Sequence, residues 1–463
     1  MSNGISSINM TRRDFIKKTT SAMIVLSLGS YLTGCGDSGR DDSDEAFSGA
    51  NFAVISDPHV YDTTLGTDGE AWQQYLLSDR KLLAESEFIL AAAVDRILAA
   101  TPKVDFVIVS GDLTKDGEKQ CHELFASYMN RLLDNGIKVL VIPGNHDINN
   151  PHAQAFDAAG PTAIDSVTAA EFAEIYSTMG YNNAIVKDDN SLSYIAEPVS
   201  GLWVFCLDSC KYDTNYVDDY PQTSGEFSAE TLAWIVENIQ VAKQRNKTII
   251  ATMHHGIIEH FTGQSQLTGL GDEYVVDNWQ EVSETFAAEG LNLVFTGHYH
   301  AQDAASRTFA NDSYIFDVET GSLVTYPNPI RYVSISTEGT VAISSEEVEE
   351  ISYDTGGEPF PAYAHDYLVS GLTLQAPYFL VNGFGVGEET AAEMTPYLVR
   401  GMVAHYSGDE SPTTDDLIAV QTYMADSDTA IATVGSILGS LWTDIKPSDT
   451  NCSFSLTDGT VTE

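Results

Sequence analysis

Short apolar runs alternate along the chain with longer segments of helical periodicity. Apolar and β-branched residues are concentrated at 51–56, 104–110, 138–142, 248–253 and 291–296, which predicts five buried strands. Between these runs, apolar positions recur at helical spacing over 85–99, 116–134, 169–179, 229–245 and 277–289. Strands separated by helices of this length need crossover connections, so the pattern predicts an α/β fold with buried strands.

The C-terminal third has a different pattern. Apolar runs at 313–318, 331–336 and 341–345 predict strands that complete the α/β region. Beyond 346, helical spacing dominates over 365–374, 388–406, 414–424 and 430–442. We therefore expect an α/β domain at 49–345 and a C-terminal helical appendage over 346–463. His365 and His405 would reach a site in the α/β domain only if this appendage forms a cap.

The N-terminal residues have the pattern of an export signal. A basic segment that contains Arg12 and Arg13 precedes an apolar run over 22–32, which is too short to span a bilayer as a mature helix. The arginine pair resembles a twin-arginine signal, and the Leu-Thr-Gly-Cys sequence that ends at Cys35 resembles a bacterial lipoprotein box. We expect a signal peptide at 1–34, a tether at 35–48, and attachment of the exported protein to a membrane of the cell envelope through lipidated Cys35. An ordinary cleaved signal, or an apolar start to the domain, is the alternative.

Composition and charge narrow the classes of function. Hydrophobic residues make up 43% of the 463 residues, which excludes an intrinsically disordered chain. The 67 acidic residues outnumber the 22 basic ones, and the formal net charge of -45 argues against binding of extended nucleic acid. An anionic substrate would be repelled by this field, so its binding requires local positive charge. With five cysteines the chain is not a disulfide scaffold, and Cys206 and Cys210 either pair or remain buried thiols.

Metal-binding and acid–base side chains follow all five central strands. Five of the 11 histidines lie there, together with aspartate and asparagine residues. The set is Asp57, His59, Asp112, Asn145, His146, His254, His298 and His300. Because ligands of α/β sheets bind at the carboxyl ends of the strands, we expect these side chains to converge. Imidazole and carboxylate suit Zn, Fe, Mn, Co or Ni, and the two oxygens of Asp112 can bridge two cations.

The order of these residues forms a specific set of motifs. The blocks are Asp57-Pro58-His59, Gly111-Asp112, Gly144-Asn145-His146-Asp147, His254 and Gly297-His298-Tyr299-His300. They resemble the calcineurin-like metallophosphoesterase superfamily, whose pattern is D-x-H, G-D, G-N-H-D/E, H and G-H-x-H. The resemblance implies an α/β fold of two sheets packed face to face with helices outside, and a dinuclear metal site at the strand ends.

The resemblance also implies a role for each of these residues. One metal ion would be held by Asp57, His59, Asp112 and His300, and the other by Asp112, Asn145, His254 and His298. Two divalent or trivalent ions are implied, and Fe, Mn, Zn, Ni and Co are all compatible. A metal-bridging hydroxide would attack phosphorus, with Asp112 and His146 as catalytic residues. Asn145 and His146 would also contact the substrate.

Several assignments stay open at the level of sequence. His254 is preferred to His255 as a ligand because it comes first after its strand. The partner that orients His146 is either Asp116 or Asp147, because Lys115 occupies the position where relatives often carry a carboxylate.

Residues next to the motifs are weaker candidates. His152 follows the third motif closely and would line the substrate pocket, with a surface turn as the alternative. Gln302 and Asp303 follow His300 and are candidates for contact with the ligands.

The expected function is metal-dependent hydrolysis of a phosphomonoester or phosphodiester in a small phosphorylated substrate. One alternative is a nuclease of the same superfamily, which the acidic charge opposes. Another is a noncatalytic envelope lipoprotein that retains a structural metal site. Intact His146 opposes this last reading, because a purely structural site has no use for a histidine that faces phosphate. Gly111-Asp112 also lacks the Asp-Arg-Gly continuation of Ser/Thr protein phosphatases, which argues against protein phosphatase activity.

Overall fold

The computed structural model describes residues 46–267 and 271–462. The predicted signal peptide at 1–34, Cys35 and most of the predicted tether lie outside the described residues. Within the described ranges, no helix combines the length and the apolar character that are needed to cross a bilayer.

The elements alternate as the hydrophobic pattern predicts. The strands are β1 Ala50–Ile55, β2 Phe106–Val109, β3 Lys138–Val141, β4 Gln154–Asp157, β5 Gly160–Ala163, β6 Val186–Lys187, β7 Tyr194–Val199, β8 Leu202–Cys206, β9 Thr248–Thr252, β10 Leu293–Thr296, β11 Asp303–Thr308, β12 Tyr314–Glu319, β13 Pro329–Ile335, β14 Thr340–Glu347, β15 Asn451–Ser455 and β16 Val461–Thr462. The α-helices are α1 Gly69–Ser78, α2 Ser86–Ala99, α3 Lys119–Asp134, α4 Ala169–Ile175, α5 Asn215–Asp218, α6 Ala229–Gln244, α7 Trp279–Glu289, α8 Phe360–Asn382, α9 Glu388–Ser407, α10 Thr414–Met424 and α11 Thr429–Leu441.

Two seven-stranded sheets carry the fold. The first has the order β16-β15-β14-β13-β1-β2-β3, and the second has the order β11-β12-β10-β9-β8-β7-β6. β1, β2 and β3 are parallel neighbours, and so are β8, β9, β10 and β12. The remaining neighbours in both sheets are antiparallel. The predicted α/β fold of two sheets with flanking helices is confirmed.

The main core lies between the two sheets. Phe52 of β1 meets Phe295 of β10 edge to face at 5.5 Å between ring centroids, and Phe316 of β12 stacks on Phe454 of β15 at 4.0 Å. A second apolar cluster covers the other face of the second sheet, where Phe286 of α7 packs among strand residues. The five predicted central strands are thus buried as β1, β2, β3, β9 and β10.

The C-terminal region differs from the expected helical appendage in one respect. Four long helices are present, but the chain then returns to the first sheet, where β15 pairs antiparallel with β14. The region 346–463 is therefore not helical throughout, and β14 is not the last strand. α8 packs Leu368, Leu372 and Leu380 against the α/β domain in one apolar cluster with Phe261 and Ala301.

A buried ion network also joins this region to the α/β domain. His260 Nδ1 lies 2.8 Å from Asp303 Oδ1, and His260 Nε2 lies 3.2 Å from Asp317 Oδ2. On the helical side, His405 Nδ1 lies 2.9 Å from Glu410 Oε1 and 3.6 Å from Asp303 Oδ2. Burial would lower the pKa of His260, but the charges of Asp317 and Asp303 raise it well above the ordinary value. The network fixes where α9 lies on the α/β domain.

Candidate metal centre

The loops after the central strands hold the predicted ligands in an unusual backbone conformation. Asp57, His59, Asp112, His298 and His300 have φ values of 49°, 36°, 51°, 78° and 70°. Non-glycine residues rarely adopt positive φ, and such conformations persist where the surrounding structure enforces them. Five of the 12 non-glycine residues with positive φ in the described ranges are thus predicted metal ligands.

The first group of candidate ligands joins the β1 loop to the β10 loop. The ligand atoms of Asp57, His59 and His300 lie within 4.8 Å of one another. His59 Nε2 is 3.2 Å from His300 Nε2, and Asp57 Oδ1 is 3.4 Å from His300 Nε2. All three side chains are buried or nearly so, which leaves little room for water between them.

The second group forms on the loops after β2, β3, β9 and β10. His254 Nε2 lies 3.1 Å from Asn145 Oδ1 and 3.4 Å from Asp112 Oδ2. His298 joins Asp112 and His254 with all ligand atoms within 4.8 Å. His298 Nε2 lies 3.2 Å from the carbonyl oxygen of Glu273 and must donate to it, which leaves Nδ1 with its lone pair.

Asp112 connects the two groups. Its Oδ2 lies 3.5 Å from His59 Nε2 in the first group and 3.4 Å from His254 Nε2 in the second. Burial would raise the pKa of Asp112, but the charges of His254 and His146 hold it well below the ordinary value. The carboxylate is therefore ionised and equidistant from both groups, as a bridging ligand requires.

The hydrogen-bond pattern tests whether cations fit here. His254 Nδ1 lies 2.8 Å from the carbonyl oxygen of Ser110, and His59 Nδ1 lies 3.3 Å from that of Thr114. A carbonyl only accepts, so both Nδ1 atoms donate and both Nε2 atoms present lone pairs. Asp57 Oδ1 is buried, and none of the described residues forms a hydrogen bond with it. Lone pairs that face one another in a buried site need positive charge between them, so the residues fit metal ions.

The charge balance at His254 agrees with this result. Burial would lower the pKa of His254, but the charge and hydrogen bond of Asp112 raise it to about 9. Without a metal ion, a proton would have to supply the positive charge beside Asp112. A cation bound by Asp112 and His254 would take its place.

Two glycines make room for the ligands. A Cβ atom at Gly144 would collide with the carboxylate and backbone of Asp112, and one at Gly297 would collide with Ser56 Oγ and Asp57 Oδ2. Each position brings the backbone of one loop against the ligand of another. The motif glycines are therefore required for convergence of the loops.

His146 is oriented by Asp116. Its Nδ1 lies 2.9 Å from Asp116 Oδ1, and Asp116 forms a buried ion pair with Lys115. Burial and Lys81 would lower the pKa of His146, but Asp112 and Asp116 raise it above the ordinary value. Nε2 remains free for the cavity, and one nitrogen of His146 also comes within 4.8 Å of His59 and Asp112 ligand atoms.

Asp147, the other candidate partner of His146, has a structural role. Its carboxylate accepts hydrogen bonds from the backbone N–H groups of Leu113, Thr114 and Gly144 at 2.8–3.0 Å. These bonds tie the loop after β2 to the loop after β3. Asp116 is thus the carboxylate that contacts the imidazole.

The weaker candidates are placed as follows. His255 is buried with Nδ1 2.8 Å from Ser209 Oγ and Nε2 2.8 Å from the Thr223 carbonyl, so both nitrogens are engaged away from the ligands. His152 lines the same cavity as Asn145 and His146. Gln302 and Asp303 contact the helical region instead of the metal ligands. His365 is partly exposed and pairs with Asp366, and His405 belongs to the ion network; neither residue lines the cavity.

A cavity of about 440 Å³ opens over the two ligand groups. Besides predicted residues, Arg80 and Lys81 line it, and both follow α1. Lys81 Nζ lies 3.2 Å from Asp79 Oδ2. Sequence reasoning missed these two cations, although adjacent basic residues are a detectable signal in a chain with only 22 lysines and arginines. They supply the local positive charge that an anionic substrate requires.

Cys206 and Cys210 are both free thiols, but Cys206 is buried and Cys210 is only partly buried. The two cysteines therefore do not pair, and the interpretation as a buried thiol is confirmed for Cys206.

Part of the chain is similar in sequence to known phosphoesterases. The family model described as calcineurin-like phosphoesterase matches residues 50–302. A protein of Pongo abelii named serine/threonine-protein phosphatase CPPED1 is 25% identical over 260 residues, which cover 54% of this chain and 70% of that protein. The Bos taurus protein of the same name is 25% identical over 280 residues, which cover 58% of this chain and 73% of that protein. The crystal structure of a dimetal phosphatase from Danio rerio aligns with a TM-score of 0.44 at 14% identity and covers 65% of this chain and 97% of that one.

Proposed function

The chain belongs to the calcineurin-like phosphoesterase family, and from this premise we propose that it is a metal-dependent hydrolase of phosphoric esters. The observation that carries the proposal is the position of Asp112, whose Oδ2 lies between two groups of buried lone-pair donors. Two cations held about 3.5–4 Å apart are the common arrangement for such chemistry. The substrate cavity over these groups contains His146, Arg80 and Lys81.

The residues present would hold two metal ions. Asp57, His59, Asp112 and His300 would hold one, and Asp112, Asn145, His254 and His298 would hold the other. When bound, such ions act as Lewis acids that draw electron density from phosphoryl oxygens and lower the pKa of water. Histidine and carboxylate ligands are compatible with Fe, Mn, Zn, Ni or Co.

His146 would handle the proton of the leaving group. Its Nδ1–H donates to Asp116 Oδ1, so Nε2 is the nitrogen that faces the cavity. In the imidazolium form, His146 can donate a proton from Nε2 to the oxygen of the departing alcohol while Nδ1 stays bonded to Asp116. Asp116 keeps the ring in this orientation and stabilises its positive charge. Lys81 and Arg80 would attract and orient the phosphate anion.

The proposal is tested with the full chain and defined metals. Purified protein supplied with Mn²⁺, Zn²⁺ or Co²⁺ should hydrolyse p-nitrophenyl phosphate or bis(p-nitrophenyl) phosphate. Asp112→Ala should abolish turnover and lower the bound metal measured by elemental analysis, because it removes the ligand shared by both groups. Asp134→Asn, an exposed acid at the end of α3, is the matched control and should behave like the native protein. Hydrolysis by Asp112→Ala at the native rate would refute the bridging role.

The alternatives are weaker on specific grounds. A nuclease needs a basic groove for the phosphate backbone, whereas the chain carries a net charge of -45. The name of the relatives refers to protein substrates, but the Asp-Arg-Gly continuation of Ser/Thr protein phosphatases is missing after Gly111-Asp112 in this sequence. A purely structural metal site would not need the Asp116–His146 pair. We therefore favour a small phosphorylated substrate.

We also propose that the protein is exported and anchored in the cell envelope through lipidated Cys35. The support is the sequence of the first 35 residues alone. Cys35→Ser should move the protein from the membrane fraction to the soluble fraction in bacterial cells, and Cys452→Ser is the matched control. Membrane association that persists in Cys35→Ser would refute lipid anchoring.

A further inference from the structure

An apolar chamber lies between the metal cavity and the C-terminal helices. Its volume is about 230 Å³. Its apolar wall includes Leu372, Ala376 and Phe379 of α8, Leu398 and Met402 of α9, and Ile437 and Leu441 of α11. Ligand pockets commonly have this character, with a mostly apolar wall and a few polar groups at one side.

The chamber adjoins the metal cavity through three shared residues. Arg80, Tyr274 and Tyr299 line both spaces. Tyr299 stands between the candidate ligands His298 and His300 in sequence, and the ring of Tyr274 lies 4.7 Å from that of His298. A ligand held at the metal centre therefore needs to pass only these side chains to reach the apolar wall.

Arg80 is the charged residue at this boundary. Among the described residues, no carboxylate oxygen comes within 4.0 Å of its guanidinium, although its neighbour Lys81 has Asp79 as a partner. In a chain with 67 acidic residues, such a guanidinium is available to an external anion. Its stem packs on α8, where a Cβ atom at Gly371 would lie 3.3 Å from Arg80 Cγ. The helical region thus helps to hold this cation beside the metal cavity.

We propose that the substrate is an amphiphilic phosphoric ester whose alkyl or aryl group enters the chamber. The inference rests on the proposed function, because it places the phosphoryl group at the metal centre. Arg80 would contact the phosphoryl oxygens, and the apolar group would extend past Tyr274 and Tyr299. The chamber has room for roughly seven groups of the size of a water molecule or a methylene. An empty apolar void lowers stability in proportion to its volume, whereas an apolar guest restores the lost contacts.

The test uses alkylphosphonates from methyl to decyl, which resemble phosphoric esters but are not hydrolysed. They are measured with the full chain as competitive inhibitors of p-nitrophenyl ester hydrolysis, and by calorimetry with and without added Mn²⁺. Each methylene that enters the chamber should lower Ki and Kd by a factor of about four. The gain should level off once the chain contains roughly seven carbons, when the chamber is full.

Substitutions distinguish the contribution of the apolar wall to binding from that of the Arg80 charge. Ala376→Phe should fill the chamber, so that hexyl- and methylphosphonate bind within about twofold of each other. Leu372→Ala, which enlarges the same space, should shift the point of levelling to a longer chain and serves if Ala376→Phe does not fold. Arg80→Met should weaken methyl- and hexylphosphonate by the same factor. Arg307→Met, a control at an exposed residue that lines neither the chamber nor the metal cavity, should leave both constants unchanged.

The outcomes distinguish the two proposals. A chain-length gain that Ala376→Phe removes supports the chamber. Active protein with no chain-length dependence overturns the chamber and leaves the proposed function standing. If calorimetry shows the expected decrease in Kd with chain length, but the protein hydrolyses no ester with any metal, the proposed function is overturned and the binding site is supported. Neither binding nor hydrolysis overturns both.

Discussion

Replacement of Asp116 by asparagine tests the chemistry of the site at one contact. The native carboxylate accepts from His146 Nδ1 at 2.9 Å, contacts the Lys115 ammonium, and accepts from the Tyr75 hydroxyl at 3.0 Å. Asparagine keeps the shape but removes the charge that stabilises the imidazolium. Because Lys115 retains Glu118 Oε1 at 3.0 Å, the buried ammonium is not left alone, and we expect the fold to survive.

The magnitude follows from the contact that is lost. A hydrogen bond to a charged group contributes about 1.5–3 kcal/mol. At about 1.4 kcal/mol for each tenfold change in rate, kcat should fall by roughly 10- to 150-fold. The loss should be larger for an alkyl phosphate than for p-nitrophenyl phosphate, because the nitrophenolate leaves without needing a proton.

The assay compares kcat for the two substrates in metal-loaded native protein, Asp116→Asn and a control. Tyr75→Phe is the control, since it removes one partner of Asp116 but keeps the contact with His146; its kcat should stay within a few-fold of native. Equal loss for both substrates would refute proton donation by His146. Loss of bound metal in Asp116→Asn would show that the residue acts on the ligands and does not act through His146.

Other expectations concern metal, packing and pH. Chelation should lower the melting temperature, and added Mn²⁺ or Zn²⁺ should restore it, because ligand at about 1,000 times its Kd stabilises by about 4 kcal/mol; an unchanged melting temperature would contradict the buried lone-pair argument. Gly144→Ala should displace the Asp112 carboxylate and lower bound metal, whereas Gly387→Ala, whose Cβ meets nothing within 4 Å, should not. Burial raises the pKa of Asp208 to about 6, so its contribution to stability is full below its unfolded pKa of about 4 and is lost as the pH rises through 6. Urea unfolding should therefore show Asp208→Asn gaining stability relative to native across that interval, and parallel profiles would contradict this pKa.

The elements that sequence predicts best are those with strong periodicity. β1, β2, β3, β9 and β10 are buried runs of apolar and β-branched residues, and all five lie where the pattern indicates. The sequence pattern does not predict β11, because its sequence Asp-Ala-Ala-Ser-Arg-Thr has neither an apolar run nor alternation of apolar and polar residues. This segment forms a strand because it pairs with β12. The sequence pattern predicts a helix only over 365–374, whereas α8 spans Phe360–Asn382. The predicted end is too early because Pro377 lies inside α8, at a position where a proline usually ends a helix.

The site likewise contains residues that the sequence predicts and residues that it does not predict. Residues at strand ends are predictable because parallel strands bring their carboxyl ends to one edge. The choice between Asp116 and Asp147 depends on side-chain direction, which spacing along the chain does not determine. Arg80 and Lys81 lie outside the motifs on a loop between α1 and α2, and their position at the cavity depends on tertiary packing.

Because β14 and β15 are adjacent antiparallel strands, residues 348–450 leave and re-enter the first sheet at one corner, with Ser344 opposite Asn451. The four helices therefore lie within the connection of a β-hairpin that β14 and β15 form. Closing a loop of about 100 residues costs about 3 kcal/mol more entropy than closing one of four, so a tight turn in their place would favour the strand pairing. The helices are thus an insertion between two paired strands. Because this insertion shares buried contacts with Phe261, Tyr299 and Asp303 of the α/β domain, a chimera that exchanges it would need matching residues at those three positions to keep the loop after β10 in place.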